Sequence, residues 1–124
     1  MKTQKDSFIL DRFKSLGYAW KGVKLLVRSE NSIKLQLGVG AFVTVLGLYV
    51  GLSFVEWTLQ CLSIFLVLSA EGLNTAIEKI ADFVHPKYHH KIGEIKDISA
   101  GAVTFIAFGA VIVGLLIYVP KFVV

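Results

Sequence analysis

The stretch Leu35-Gln-Leu-Gly-Val-Gly-Ala-Phe-Val-Thr-Val-Leu-Gly-Leu-Tyr-Val-Gly-Leu-Ser-Phe-Val55 carries no charged side chain, and Gln36 is its only polar residue of any size. A helix rises 1.5 Å per residue, so roughly 20 apolar residues cover the ~30 Å hydrocarbon layer of a bilayer. The stretch therefore reads as a membrane-crossing helix. Two more follow, Trp57 to about Val84 and Ile98 to Val119. Of the 124 residues 55% are hydrophobic, and the mean hydropathy of +0.68 exceeds what a soluble core requires. The expected class is an all-α integral membrane protein. Glycines in the first and third spans (Gly38, Gly40, Gly47, Gly51; Gly101, Gly109, Gly114) would let helices approach closely in lipid. Gly38-Val-Gly40 has no strand before it and no Lys-Ser/Thr after it, so a phosphate loop is rejected.

The charges give the orientation. Eight basic residues precede the first span, four (Lys79, Lys87, Lys91, Lys96) lie at or between the second and third, and none lies in the first connection. By the positive-inside rule the N-terminus and the 79–97 segment face the cytoplasm. The turn at Glu56-Trp57 and the tail at Pro120-Lys121 then face outward, with Trp57 and Tyr118 expected as interfacial aromatics. The first apolar run starts late and lacks a small-residue cleavage site, which argues against a cleaved signal peptide. A pI near 9.3 points to anionic lipid head groups and not to nucleic acid, because the cations flank apolar runs and no nucleic-acid module accompanies them. The lone Cys61 reads as a small buried hydrophobe.

Ahead of the first span, Ile9, Phe13, Leu16, Trp20, Val23 and Val27 recur at steps of four and three, the apolar stripe of an amphipathic helix. Lys14, Lys21, Lys24 and Arg28 fall mostly off it, as in a helix lying in the membrane interface. No repeat or linker marks a second domain. The chain 1–124 reads as one domain, with a surface helix at 7–29 and spans at 35–55, 57–84 and 98–119.

Chemistry concentrates in Glu71-Gly-Leu-Asn74-Thr75-Ala-Ile-Glu78-Lys-Ile-Ala-Asp82. At 100° per residue, Glu71, Asn74, Thr75, Glu78 and Asp82 share a sector of roughly 100° on an otherwise apolar helix. A charge at the bilayer centre costs about 2.5–3.5 kcal/mol on insertion scales, so three acids on one face call for a partner or a function. Glu71 lies roughly 20 Å from the outer end of its helix, and Glu78 about 10 Å nearer the cytosol. A lipid hydroxyl reaches the first level and a hydrated metal–nucleotide the second. Magnesium, held by one or two carboxylates together with substrate phosphates, suits an acid at the depth of Glu78.

The loop that follows offers His85, Lys87, Tyr88, His89, His90 and Lys91, then Lys96-Asp97. Asp97 is the expected N-cap of the third span, and that helix start, reinforced by Lys96, would favour phosphate. The histidines have irregular spacing and no cysteine joins them, which speaks against zinc.

The pattern Glu71-x-Leu-Asn74-Thr75-Ala-Ile-Glu78, followed by Asp82, Lys96-Asp97 and Ala100-Gly-Ala-Val103, resembles the prokaryotic diacylglycerol kinase and undecaprenol kinase family. Gly17-Tyr18-Ala-Trp20-Lys-Gly22 and Arg28-Ser-Glu30-Asn31 look like segments of the same family, so the resemblance covers nearly the whole chain. Ala81 stands where the signature usually has valine. The resemblance implies a homotrimer of three-span subunits in the bacterial inner membrane, using ATP and Mg2+ to phosphorylate a lipid alcohol at the cytoplasmic face. It implies Glu71 as general base, supported by Asn74, and Glu30 and Glu78 as magnesium ligands. Tyr18, Lys87, Tyr88, His89, Lys96 and Asp97 would border the nucleotide, and Trp20 the lipid. Glu56-Trp57, Ser63-Ile-Phe-Leu-Val67 and Tyr118-Val-Pro-Lys121 resemble the undecaprenol kinase branch.

The rival reading from the residues is a proton- or cation-conducting oligomer lined by Glu71, Glu78 and Asp82. A conducting path needs polarity along the whole span, whereas Leu62 to Ala70 offers only Ser63 and Ser69. Polarity confined to one half favours a one-sided site.

Overall fold

The computed structural model describes residues 3–123, which form four helices and, among those residues, no strand. They are α1 (Gln4–Ser29), α2 (Asn31–Val50), α3 (Phe54–Val84) and α4 (His90–Val123). The last three are each long and apolar enough to cross a membrane. Helix α1 starts three residues before its apolar stripe suggests, because Thr3 and Asp6 form a capping box: the Asp6 N–H donates to the Thr3 hydroxyl at 3.2 Å.

The connections are tight and have local causes. Between α1 and α2 only Glu30 leaves the helical conformation, at φ −109° and ψ 115°. Helix α2 stops at Gly51, whose φ of 81° is the left-handed conformation that glycine adopts without strain. Ser53 and Glu56 then open α3 with a second capping box, the Ser53 N–H donating to Glu56 Oε1 at 2.9 Å. The first span thus ends at Val50 and not at Val55, and the turn is Gly51–Ser53, with Glu56 and Trp57 already inside α3.

Helices α3 and α4 are antiparallel, pinned by an ion pair at either end: Asp82 with Lys96, and Glu56 with Lys121 at 3.0 Å. At 31 and 34 residues they extend roughly 46 and 51 Å, well beyond the hydrocarbon layer. The excess turns at the His85–His89 end therefore build a polar platform. Helix α2 leans on α3 where glycines allow it. A Cβ on Gly40 would meet Ile64 at 3.2 Å, and one on Gly47 would meet Leu52 and Trp57 at 2.9 Å. Gly38, Gly101, Gly109 and Gly114 have open space within the chain, so the close-packing expectation holds for the first two glycines only.

The interior is small. Ile33, Val67, Ala81 and Ile117 are its buried apolar residues, alongside buried Gln60, Thr75 and Ser99. Large apolar side chains line the outside, as hydrocarbon surroundings permit. Cys61 is among these outward residues and is not buried, because in lipid an apolar side chain gains nothing by turning inward. Tyr118 and Trp57, near the end of α4 and the start of α3, are both half-buried, Tyr118 bonded to α2 and α3 and Trp57 seated near Gly47. Pro120 does not begin a tail, since α4 runs on to Val123 with Pro120 inside its last turns.

Candidate active site

The acids of α3 lie as the helical spacing requires. Glu71, Asn74 and Glu78 are half-buried, Thr75 turns fully into the helix interface, and Asp82 is exposed. The Asn74 amide nitrogen donates to Glu78 Oε1 at 3.2 Å. A carboxylate only accepts, so this bond fixes which way the Asn74 amide faces. It leaves Asn74 Oδ1 buried without a partner among the described residues. A buried oxygen of this kind is normally satisfied, and this one offers itself to a hydroxyl, a metal-bound water or a cation. No hydrogen bond from the described residues reaches the Glu71 carboxylate.

On the other side of Glu71 the surroundings turn apolar. A groove of about 340 Å3 runs between α1, α2 and α3, lined by Val23, Leu26, Val27, Ile33, Leu37, Phe65, Leu68 and Ser69. Leu26 of that lining also packs against the residue after Glu71: its Cδ1 lies 3.1 Å from where a Cβ of Gly72 would be. The groove thus runs along the stretch of α3 that leads up to the acid. Gly72 is a contributor the sequence reading passed over; only its lack of a side chain next to Glu71 could have signalled it.

The helix start expected at Asp97 lies elsewhere. Helix α4 begins at His90, and the ring of His89 takes the capping role, its Nδ1 accepting the Lys91 N–H at 3.1 Å. Asp97 is therefore two turns inside α4, and its side chain is exposed. The loop folds on itself: His85 Nδ1 lies 2.6 Å from the Lys87 carbonyl, and the rings of His85 and His89 meet edge to face at 5.2 Å. Lys87, Tyr88 and His89 are exposed at the mouth of this end. Lys96 reaches across from α4 to Asp82.

The residues from the N-terminal third are less gathered. Glu30, half-buried, sits in the break between α1 and α2, and its carboxylate makes no ion pair among the described residues. Tyr18 and Trp20 are exposed on α1, each beneath a cation of the next turn: Lys21 at 6.0 Å and Lys24 at 5.8 Å from the ring centres. Helix α1 buries no residue at all. Among the described residues no three His, Cys, Asp or Glu side chains converge as a metal cage. That donor set fits a magnesium ion held by one or two carboxylates and completed by phosphates and water, because this cation keeps much of its hydration shell.

A half-buried acid and an acid–amide pair on the polar face of α3 lie between a cation-bearing mouth, suited to a charged ligand, and an apolar groove of α1, α2 and α3, suited to a lipid. The sequence comparisons agree. Residues 17–118 match the family model described as prokaryotic diacylglycerol kinase. The undecaprenol kinase of Bacillus subtilis (strain 168) is 38% identical over 109 residues, covering 88% of this chain and 89% of that protein. The diacylglycerol kinase of Escherichia coli (strain K12) is 32% identical over 100 residues, covering 80% and 81%. The chain belongs to the prokaryotic diacylglycerol kinase family. It is accordingly a lipid kinase, and the conducting alternative is set aside.

Proposed function

We propose that this chain transfers the γ-phosphoryl group of ATP to the hydroxyl of undecaprenol, with Glu71 as general base. The carrying observation is the position of Glu71: half-buried, free of hydrogen bonds from the described residues, and next in sequence to Gly72, against which Leu26 of the apolar groove packs. In the step, the alcohol oxygen bonds to the γ-phosphorus, the bond from that phosphorus to the β–γ bridging oxygen breaks, and ADP departs. The hydroxyl proton passes to Glu71, and the open Asn74 Oδ1, an acceptor, would take a hydrogen bond from water in the site. Glu78 and Glu30 would hold magnesium, which supplies charge neutralisation on the phosphates. Lys96, with Lys87, Tyr88, His89, Asp97 and Tyr18 around the mouth, would border the nucleotide, while Trp20 would face the lipid.

The basic end carrying this site faces the cytoplasm of the bacterial inner membrane in this reading, where ATP is available, and three subunits assemble around it. Support for the orientation is the basic residue bias. The acceptor assignment rests on the higher identity to the undecaprenol kinase than to the diacylglycerol kinases. Purified protein in detergent, given γ-labelled ATP and magnesium with undecaprenol or dioleoylglycerol, should label undecaprenol faster. Preference for the glycerolipid would overturn the acceptor, and transfer to neither would overturn the reading.

A further inference from the structure

Among the described residues, Lys96 is the cation of the 79–96 segment that a carboxylate holds: its Nζ lies 2.5 Å from Asp82 Oδ1, 14 residues away on the facing helix. The choice of partner is informative. Lys79 precedes Asp82 by three residues on the same helix, a spacing at which helical ion pairs form, yet Asp82 pairs across the bundle. Lys96 has no acid three or four residues away on α4, where Ile92, Gly93, Ser99 and Ala100 stand. The pair therefore draws the lysine to the α3 side, onto the face that carries Glu78. Asp82 lies one turn beyond Glu78, about 6 Å along the axis.

The side chains of Lys96 and Asp82 are 36% and 62% exposed. An ion pair this open to water adds little to stability, and the ammonium has three N–H donors, so Lys96 can keep its bond to Asp82 while two donors remain for phosphate oxygens. What it does supply is order. A lysine carries a long stem with many rotamers, and a ligand meeting a free one must immobilise it. Held by Asp82, Lys96 is already extended toward the polar face before any phosphate arrives.

We propose that Asp82 is a positioning residue for the nucleotide: it keeps the Lys96 ammonium one turn above Glu78, oriented for the polyphosphate. This rests on the reading of Lys96 as a nucleotide group, and the test keeps the two apart. Binding of a non-hydrolysable ATP analogue with magnesium is measured on the purified, detergent-solubilised protein, alongside kcat and KM for both substrates. Asp82→Asn, close in shape, should weaken analogue binding and raise the KM for ATP by about three- to fivefold, leaving the lipid KM and kcat at saturating ATP within about twofold. Asp82→Glu, which restores the charge, should recover most of the loss. In a Lys96→Ala background, Asp82→Asn should add nothing further. Tighter binding in Asp82→Asn would make Asp82 a competitor for the lysine and overturn the inference, as would an undiminished effect in the Lys96→Ala background. If Lys96→Ala weakens binding while Asp82→Asn does not, the positioning role alone is lost. Should Lys96→Ala leave binding unchanged, the nucleotide reading of Lys96 falls and takes this inference with it.

Discussion

The Tyr118 hydroxyl lies 2.5 Å from Gln60 Oε1, joining α4 to α3 near the Gly51–Ser53 end of the bundle. The Val43 carbonyl of α2 completes the knot, 2.9 Å from the same hydroxyl and 3.2 Å from Gln60 Nε2. Three helices thus meet at one polar point, and Gln60 is only 5% exposed. Tyr118→Phe leaves Gln60 Oε1 short of a donor and should destabilise the protein by about 1 kcal/mol, in the range measured for hydrogen bonds between membrane helices. Gln60→Leu combined with Tyr118→Phe should lose less than the two single variants summed. Unfolding titrations in mixed detergent would read both effects, and strict additivity would show that the two side chains act independently.

Gly47 is the tightest glycine of the fold, with Leu52, Trp57 and the Tyr118 hydroxyl all within 3.2 Å of where a Cβ would stand. Gly47→Ala must push rigid neighbours aside and should destabilise by about 1–3 kcal/mol. Gly101→Ala, which meets nothing within 4 Å in the chain, is the companion: within a protomer it is neutral, so any loss there would locate a contact between subunits.

Glu71→Gln preserves size while removing the base. Turnover should fall by about 10²–10⁴-fold with nucleotide analogue binding unchanged. Substantial activity in this variant would take Glu71 out of the mechanism.

Glu78→Ala removes both a proposed metal ligand and the acceptor of the Asn74 amide. It should raise the magnesium concentration needed for half-maximal rate, with partial rescue at high magnesium. Glu30→Ala should do the same without disturbing Asn74. Magnesium titrations of the two variants that overlay the wild type would contradict the assignment.

The three long helices were legible because an uncharged apolar run has few alternatives in lipid, and the polar face of α3 because spacing alone fixes which residues share a helix side. Boundaries were harder. Reading hydropathy through Gly51 hid the stop that a left-handed glycine and the Ser53-x-x-Glu56 box announce. The start of α4 was placed at Asp97 by capping preference, whereas a histidine ring performs the task at His89. Cys61 was misplaced because hydropathy separates inside from outside in water, but both sides of a membrane helix are apolar. The Asp82–Lys96 pair was out of reach, since it depends on how α4 is rotated against α3 and no spacing rule spans 14 residues and a loop.

Glu30 is the single non-helical residue between α1 and α2, and its N–H still closes the last turn of α1 on Leu26 at 3.0 Å while its carbonyl opens α2 on Lys34 at 3.2 Å. Two torsion angles therefore govern the tilt of a 26-residue lever that buries nothing of its own. The Glu30 carboxylate is thus mounted on the pivot itself, so the seating of α1 on its surroundings and the aim of the residue proposed to grip magnesium are set by the same two torsions.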